Sequence, residues 1–346
     1  MRAFLKKLLP SASWKYVRGL GLSLRVDRLL NFFHFMTHFF SDFRIFWRYN
    51  LVSTKLDSYY GARAVLIKQT HVIEKGLSMP EARLGFGIKI VRALIKNIAF
   101  YTAAYGVDDT MEAAYETLCA YFEFNKELNS TDPEFLIAVS DFSKLIKSNK
   151  QNNNSSGVIK YSHLELKHSA GSTFEEFVYG RHSVRNFTSE PVPIAVVRKA
   201  VGLSLKTPSN CNTQPWRVHY YSDKNKCKEL LALQNGNRGF GHTVSNLLII
   251  TSRLDGYAGV EQRHLPFIDG GMYALGLTYA LHHEGLGTCC LNLALNQKTE
   301  NKLREAMNIS KSEVFIMMIA FGKVPDAFLV AKSHRNPIDE ILDARC

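Results

Sequence analysis

Apolar runs long enough to span a bilayer, CxxC pairs, Cys/His metal spacings and internal repeats are all missing from this 346-residue chain. Its six cysteines, at 119, 211, 227, 289, 290 and 346, exclude a disulfide scaffold and a zinc ribbon. No apolar h-region with a small-residue cleavage site is present, so a reducing, cytoplasmic setting is expected. The His282-His283-Glu284 run lacks the HExxH spacing of a zinc enzyme, and no metal is expected. Ser209, His219 and Asp223 lie too close in sequence to suggest a nucleophilic triad. Adjacent Cys289 and Cys290 on a strand read as packed residues rather than a redox pair. Gly85 and Gly87 are too few for a phosphate loop.

What is present is ordinary globular composition, 46% hydrophobic and 21% charged, with an uneven excess of positive charge. Residues 1–50 carry 9 Lys/Arg against 2 Asp/Glu, most of the net +12. A basic head suits nucleic acid, a membrane surface or a solvated arm. Here the charge is interleaved with bulky aromatics, from Phe32 and Phe33 through Phe39, Phe40, Phe43 and Phe46 to Trp47. No nucleic-acid motif accompanies them, so nucleic acid is not expected. Asn31, His34, His38, Asp42 and Arg44 interrupt the run, which excludes a clean span of about 20 apolar residues. Peripheral membrane contact and packing on the rest of the chain both stay open.

Helix-period apolar positions predict helices over 62–73, 87–105 and 110–125, with Asp108 or Asp109 as a cap and another helix beginning at 132–134. Between the first two, His71-Val72-Ile73-Glu74-Lys75-Gly76-Leu77-Ser78-Met79-Pro80 and Arg83 to Gly87 read as a functional loop; a solvated helix end is the plain alternative for His71, Glu74 and Lys75. The polar tract Lys150 to Gly157 reads as a linker. The expected organisation is a basic, aromatic-rich helical region over 1–150, a linker over 151–171 and a second domain over 172–346. In that second part helices are expected at 172–179, 193–204, 224–234, 266–284, 298–308 and 336–343. Strands are expected at 216–221, 246–252 and 314–320, the last two buried on both faces.

Three segments of the second part carry chemistry. Arg181-His182-Ser183-Val184-Arg185-Asn186-Phe187 sets two arginines around a hydroxyl and an imidazole, donors suited to phosphate and oxyanions. In Pro208-Ser209-Asn210-Cys211-Asn212-Thr213-Gln214-Pro215-Trp216, two prolines bracket small hydrogen-bonding groups, which suits a planar heterocycle. Lys332-Ser333-His334-Arg335 adds two cations near the C-terminus. Arg181, Arg185, Lys332 and Arg335 together suit one phosphate-bearing ligand.

In this order, and with Asp269-Gly270-Gly271 and Gly285-Leu286-Gly287-Thr288-Cys289-Cys290 between them, these segments resemble the FMN-dependent nitroreductase family. The resemblance covers about 172–346. It implies an α+β, nitroreductase-like fold, a central mixed sheet flanked by helices and preceded by a mainly helical N-terminal region. It implies an oxidoreductase that passes electrons from NAD(P)H through flavin N5 to a small organic acceptor, nitro, quinone or similar. Arg181, His182 and Ser183 would hold the FMN phosphate and ribityl chain, and Lys332 and Arg335 would complete that site. Arg185 would face the N1/O2 edge and stabilise the reduced flavin. Pro208, Ser209, Asn210, Asn212 and Gln214 would line the ring. The stretch Cys290-Leu291-Asn292-Leu293 would supply the N5 contact, although which amide serves is not fixed. The family's sites lie at a homodimer interface, so a homodimer with shared sites is implied. The sequence departs from the family in lacking an evident long helical insertion over the flavin. Residues 71–79 and 83–87 resemble the extension of nitroreductase-like proteins associated with bacterial surface-polysaccharide biosynthesis, which implies a polysaccharide setting. A non-catalytic flavin-fold scaffold of a polysaccharide assembly complex is the rival reading.

Overall fold

The computed structural model describes residues 22–50, 58–128, 132–146 and 156–345. The basic residues before 22, most of the polar tract (147–155) and Cys346 fall outside the described residues. The chain divides into two compact units.

The smaller unit holds helix α1 (Leu22–Tyr49) and residues 258–263. His34, His38 and Asp42 recur at every fourth position and therefore share one helix face. Arg263 donates to both Asp42 oxygens, at 2.6 and 2.7 Å. Phe32, Phe40, Phe43, Phe46 and Trp47 are exposed. Among the described residues no helix is long and apolar enough to cross a membrane.

The larger unit begins with helices α2 (Tyr59–Leu77), α3 (Ile88–Tyr105), α4 (Asp109–Phe124) and α5 (Pro133–Ile146). Their apolar stripes close one core around Leu66, Ile73, Leu94, Ile98, Leu118 and Tyr121. Asp108 caps α4 by accepting from Met111 N–H at 2.9 Å. Helix α2 continues through residues read from sequence as loop. Gly76 is tolerated there because the Phe86 ring fills the place of a Cβ, 2.0 Å from where one would stand.

Next come β1 (Val158–Ser162), α6 (His163–Ala170), α7 (Phe174–Gly180) and α8 (Ile194–Ser204). They are followed by β2 (Trp216–Tyr221), α9 (Lys224–Leu231), β3 (Asn246–Arg253), α10 (Leu265–His283) and β4 (Gly287–Asn292). The last elements are α11 (Gln297–Met307), β5 (Glu313–Gly322), β6 (Ala327–Ala331) and the short α12 (Ile338–Ile341). Strands β2, β3, β5 and β4 form an antiparallel sheet in that order. Ser183 adds a parallel bridge to Thr288 on the β4 edge, which makes the sheet mixed.

The two core faces follow from strand alternation. Leu247 and Ile249 of β3, with Met318 and Ala320 of β5, pack with Leu230, Leu231 and Leu303 of α9 and α11. Leu248, Ile250, Ile319 and Phe321 point the other way, onto Tyr273, Leu277 and Leu281 of α10. Part of the tract read as a linker is a strand: β1 pairs antiparallel with β6. Two buried carboxylates fix its entry, Glu116 accepting from Ser156 N–H at 2.9 Å and Glu74 from Gly157 N–H at 2.8 Å.

Close approach of α10 to the sheet depends on Gly270, where a Cβ would stand 2.6 Å from Ile316 Cγ1. Alanine normally favours a helix over glycine by up to about 1 kcal/mol. Here a stiff β-branched neighbour cannot yield cheaply, and overpacking costs about 1–3 kcal/mol. Gly270→Ala should therefore lower the urea midpoint; an unchanged or raised midpoint contradicts this packing.

Candidate functional site

Arg185 is buried, 5% exposed, yet no carboxylate lies within ion-pair distance of it among the described residues. Its Nη1 donates to Ser183 O at 3.3 Å and to Ser78 Oγ at 3.5 Å, and its Nε has no partner. The backbone bridge that holds it comes from sheet pairing, since Val184 N–H donates to Thr288 O at 2.8 Å. A guanidinium cannot shed its proton to escape burial. The positive charge is therefore fixed in place.

The C-terminal end of α2 brings a second cation to it. Lys75 is half-buried and bonds the Gly236 carbonyl. Burial first, then Arg185 and Arg238, hold its ammonium below the ordinary lysine value. Desolvation followed by Arg185 and Lys75 likewise lowers the His71 imidazole. The one acid beside them is weakened. Burial pushes the Glu74 carboxyl above its usual value, against the opposing pull of Gly157, Ser333 and Ser156 hydrogen bonds and of Arg185.

The Arg181 end joins the same cluster. Burial, then Arg181 and Arg335, bring the His182 imidazole down to about 4. The buried Cys289 thiol is raised by desolvation, although Arg185, Lys75 and Arg181 all pull it down. Arg335 folds onto the Ser333 carbonyl, and Ser333 takes a left-handed φ of 56°. This C-terminal segment is tied to α2 by buried Arg63, which pairs with Glu340 and donates to Asn336 Oδ1 at 3.2 Å. Lys332 N–H donates to Gly157 O at 3.0 Å. A cavity of about 210 Å³ lies between α2, α4 and residues 333–336, with Thr70, His71 and Glu74 in its wall.

Residues 207–215 are placed differently. Asn210 N–H donates to buried Asp269 at 3.1 Å, and Tyr257 Oη donates to the same oxygen at 3.0 Å. Gln214 N–H donates to Ser209 Oγ at 3.0 Å, and its side chain to Asn212 Oδ1 at 3.2 Å. Cys211, Asn212 and Gln214 all have positive φ, 49°, 56° and 48°, a costly conformation for three non-glycine residues so close together. Pro208, Asn212 and Gln214 are exposed, and Ser209 and Asn210 half-buried. These hydrogen bonds run within the loop and to Asp269, away from the cations. Next to the loop, α10 exposes Phe267, Ile268, Met272 and Leu275. On β4, Cys290 is exposed beside Thr278 Oγ1, at 3.4 Å, while Leu291 is buried in the core.

One chain therefore gathers Arg181, His182, Ser183, Arg185 and Arg335 into a cationic cluster and presents Pro208, Ser209, Asn210, Asn212 and Gln214 on a separate strained loop. Lys75 and Ser78 were not among the expected site residues. The signal for them was present: His71, Glu74 and Lys75 are spaced i, i+3 and i+4, which sets three titratable groups on one helix face.

With this geometry in view, residues 178–323 match the model of the Nitroreductase family. The fold of that region is nitroreductase-like. The 4-nitrobenzoate reductase of Nocardioides sp. (strain LMS-CY) is 38% identical over 53 residues, 15% of this chain and 22% of that protein. The chloronitrobenzene nitroreductase of Comamonas testosteroni is 31% identical over 65 residues, 19% of this chain and 29% of that protein. The chain thus spans under a third of the length of these curated relatives. Among solved structures, an FMN-dependent nitroreductase from Clostridium difficile R20291 has a TM-score of 0.40 at 19% identity, covering 48% of this chain and 93% of its own. A nitroreductase-like protein from Streptococcus mutans has a TM-score of 0.43 at 19% identity, covering 50% and 98%.

The cluster gives a pH signature. Buried His282, near Arg181 and His182, is brought down to about 4, chiefly by desolvation. The unfolded imidazole titrates near 6.5, so the unfolded chain takes the proton first and stability falls as pH drops below that value. His282→Gln should remove about 2 kcal/mol of the stability lost between about pH 7 and pH 5. Urea unfolding at both values checks this; identical pH slopes in the two proteins contradict it.

Proposed function

We propose that this protein is an FMN-dependent oxidoreductase that takes electrons from NAD(P)H and passes them to a small organic acceptor such as a nitro compound or quinone. The observation that carries the reading is the buried Arg185 guanidinium, with its orphaned Nε, with Lys75 nearby and with no carboxylate in ion-pair contact among the described residues. Two cations in a low-dielectric site repel unless an anion lies between them. The match of residues 178–323 to the Nitroreductase family supports the choice of anion.

The residues present fit FMN. Arg181, His182, Ser183, Lys332 and Arg335 would hold the phosphate and ribityl chain. His182 stays neutral down to about 4 in the ligand-free chain, so it joins the site as a hydrogen-bonding group rather than a further repelling charge. Arg185 and Lys75 would stabilise the negative charge of the reduced ring, and Cys290 and Leu291 would contribute to holding the ring. Bound there, FMN supplies two-electron transfer between the nicotinamide donor and the acceptor. Arg185 would contribute a buried positive charge, which favours the more negative form of whatever it faces. Residues 71–79 belong to this site in our reading.

A second copy of the chain completes the arrangement. It covers the apolar α10 face of Phe267, Ile268, Met272 and Leu275, and brings its own Pro208, Ser209, Asn210, Asn212 and Gln214 over the cluster. The strained backbone of that loop, unpaired with the cations of its own chain, is what favours a shared site.

The phosphate assignment is tested by titrating Arg181→Ala and Arg335→Ala with FMN and with riboflavin. Loss of a charge-assisted contact costs about 1.5–3 kcal/mol, or about 10- to 150-fold in affinity. FMN should weaken by that factor and riboflavin, which lacks the phosphate, should change little. Equal losses for both ligands would falsify the phosphate site.

We place α1 on an anionic membrane surface, with the protein otherwise cytoplasmic. Its exposed Phe40, Phe43, Phe46 and Trp47 are too many for a solvated arm. The full chain should co-sediment with anionic vesicles, less so at high salt, and Phe43→Ser with Trp47→Ser should release it. Retention of that double variant on the vesicles contradicts the placement.

A further inference from the structure

We propose that His34, His38 and Glu261 form a binding site for a divalent transition metal, zinc(II) by the chemistry of its donors. Among the described residues this is the one group of His, Cys, Asp or Glu side chains whose ligand atoms converge, all within 4.8 Å of one another. His34 Nε2 and Glu261 Oε1 are 2.9 Å apart. The two imidazoles stand one helical turn apart on α1, their ring centroids 4.7 Å from each other and nearly perpendicular. A four-residue spacing on a helix is what lets two histidines reach one ion.

The carboxylate arrives from far along the chain, 227 residues after His34, and its arrival is held independently of any metal. Glu261 sits in a tight turn, Val260–Gln262, whose Val260 is fully buried. Two residues further, Arg263 donates to both oxygens of Asp42, one more turn along the same helix face. That paired bond fixes the turn against α1, so Glu261 is directed to His34 and His38 by a contact that is not itself a ligand. The spacing along the sequence gave no hint of this, because the third donor is remote.

Two imidazole nitrogens and one carboxylate oxygen are the ligand types zinc accepts, and harder ions such as magnesium or calcium prefer all-oxygen sets. Three protein ligands leave a fourth position, and exposure of His34 and Glu261 leaves it open to water. The role that follows is a clip. A metal held by α1 and by residues 258–263 adds a link between two segments already joined by the Arg263–Asp42 pair, and its binding free energy adds to the stability of that unit.

The test uses untagged full-length protein stripped with a chelator and titrated with zinc(II) alone against a chromophoric competitor. One equivalent should bind, and His34→Ala or His38→Ala should each weaken it by about tenfold or more, as even outer partners of metal ligands do. The near-isosteric Glu261→Gln, which leaves the Arg263 and Asp42 contact untouched, should weaken zinc in the same way. Cobalt(II) in place of zinc should give the visible absorption of a four-coordinate ion in the wild-type chain, lost in all three variants. Absence of stoichiometric zinc binding overturns the proposal. So does binding that survives the His34→Ala, His38→Ala double variant.

Discussion

A buried positive charge with no carboxylate in ion-pair contact among the described residues organises the centre of this molecule. Arg185 is placed by the sheet, because its neighbour Val184 is bonded to the β4 edge. It is then crowded by Lys75 from α2, whose ammonium is held below its ordinary value by burial and by Arg185 itself. Nearby Glu74 is a poor counter-ion, since burial raises its carboxyl and its oxygens already accept from backbone N–H groups. Folded proteins rarely keep such an arrangement for stability, as burying unpaired charge costs several kcal/mol. A recurrent anionic ligand is the physical condition under which it becomes favourable, and this is why we read the cluster as a cofactor site.

The same requirement accounts for how the helical segment is built into the larger unit. Its contacts with the nitroreductase-like region include buried polar ones. Glu74 and Glu116 grip the backbone of Gly157 and Ser156 where β1 begins, and Arg63 reaches Asn336 and Glu340. Each contact fixes a backbone segment next to a cation of the cluster: residues 156–157 beside Lys332, and residues 333–340 beside Arg335. Removing one partner of any of them leaves a buried polar or charged group without its hydrogen bond.

Much of the fold was legible in the sequence where burial is complete on both sides. Leu247 to Ile250 and Met318 to Phe321 alternate between two helical layers, so their unbroken apolar runs could only be central strands. The pair β1 and β6 was not legible. Val-Ile-Lys-Tyr-Ser follows an Asn/Ser tract, places Lys160 in solvent and finds its partner at the far end of the chain. The end of α2 was hidden by Gly76, a residue that usually ends helices and here makes room for Phe86. For the site, the Arg-His-Ser segment and the C-terminal cations were visible as residue types. Their proximity was not, because it depends on the β4 bridge and on the Arg63 tether. Lys75 was visible only as part of a polar stretch, since a helix face reveals its target only once both elements are folded.

The central claim is that Arg185 and Lys75 are held at a cost to the ligand-free chain for the sake of an anion. The most direct measurement is the denaturant stability of ligand-free Arg185→Met, taken together with its FMN affinity. Methionine keeps much of the buried volume and removes the charge. The account predicts a variant at least as stable as the wild-type chain when empty, and weaker in FMN binding by about tenfold or more. A variant that is markedly less stable yet binds FMN as before would mean that Arg185 supports the fold and not the ligand.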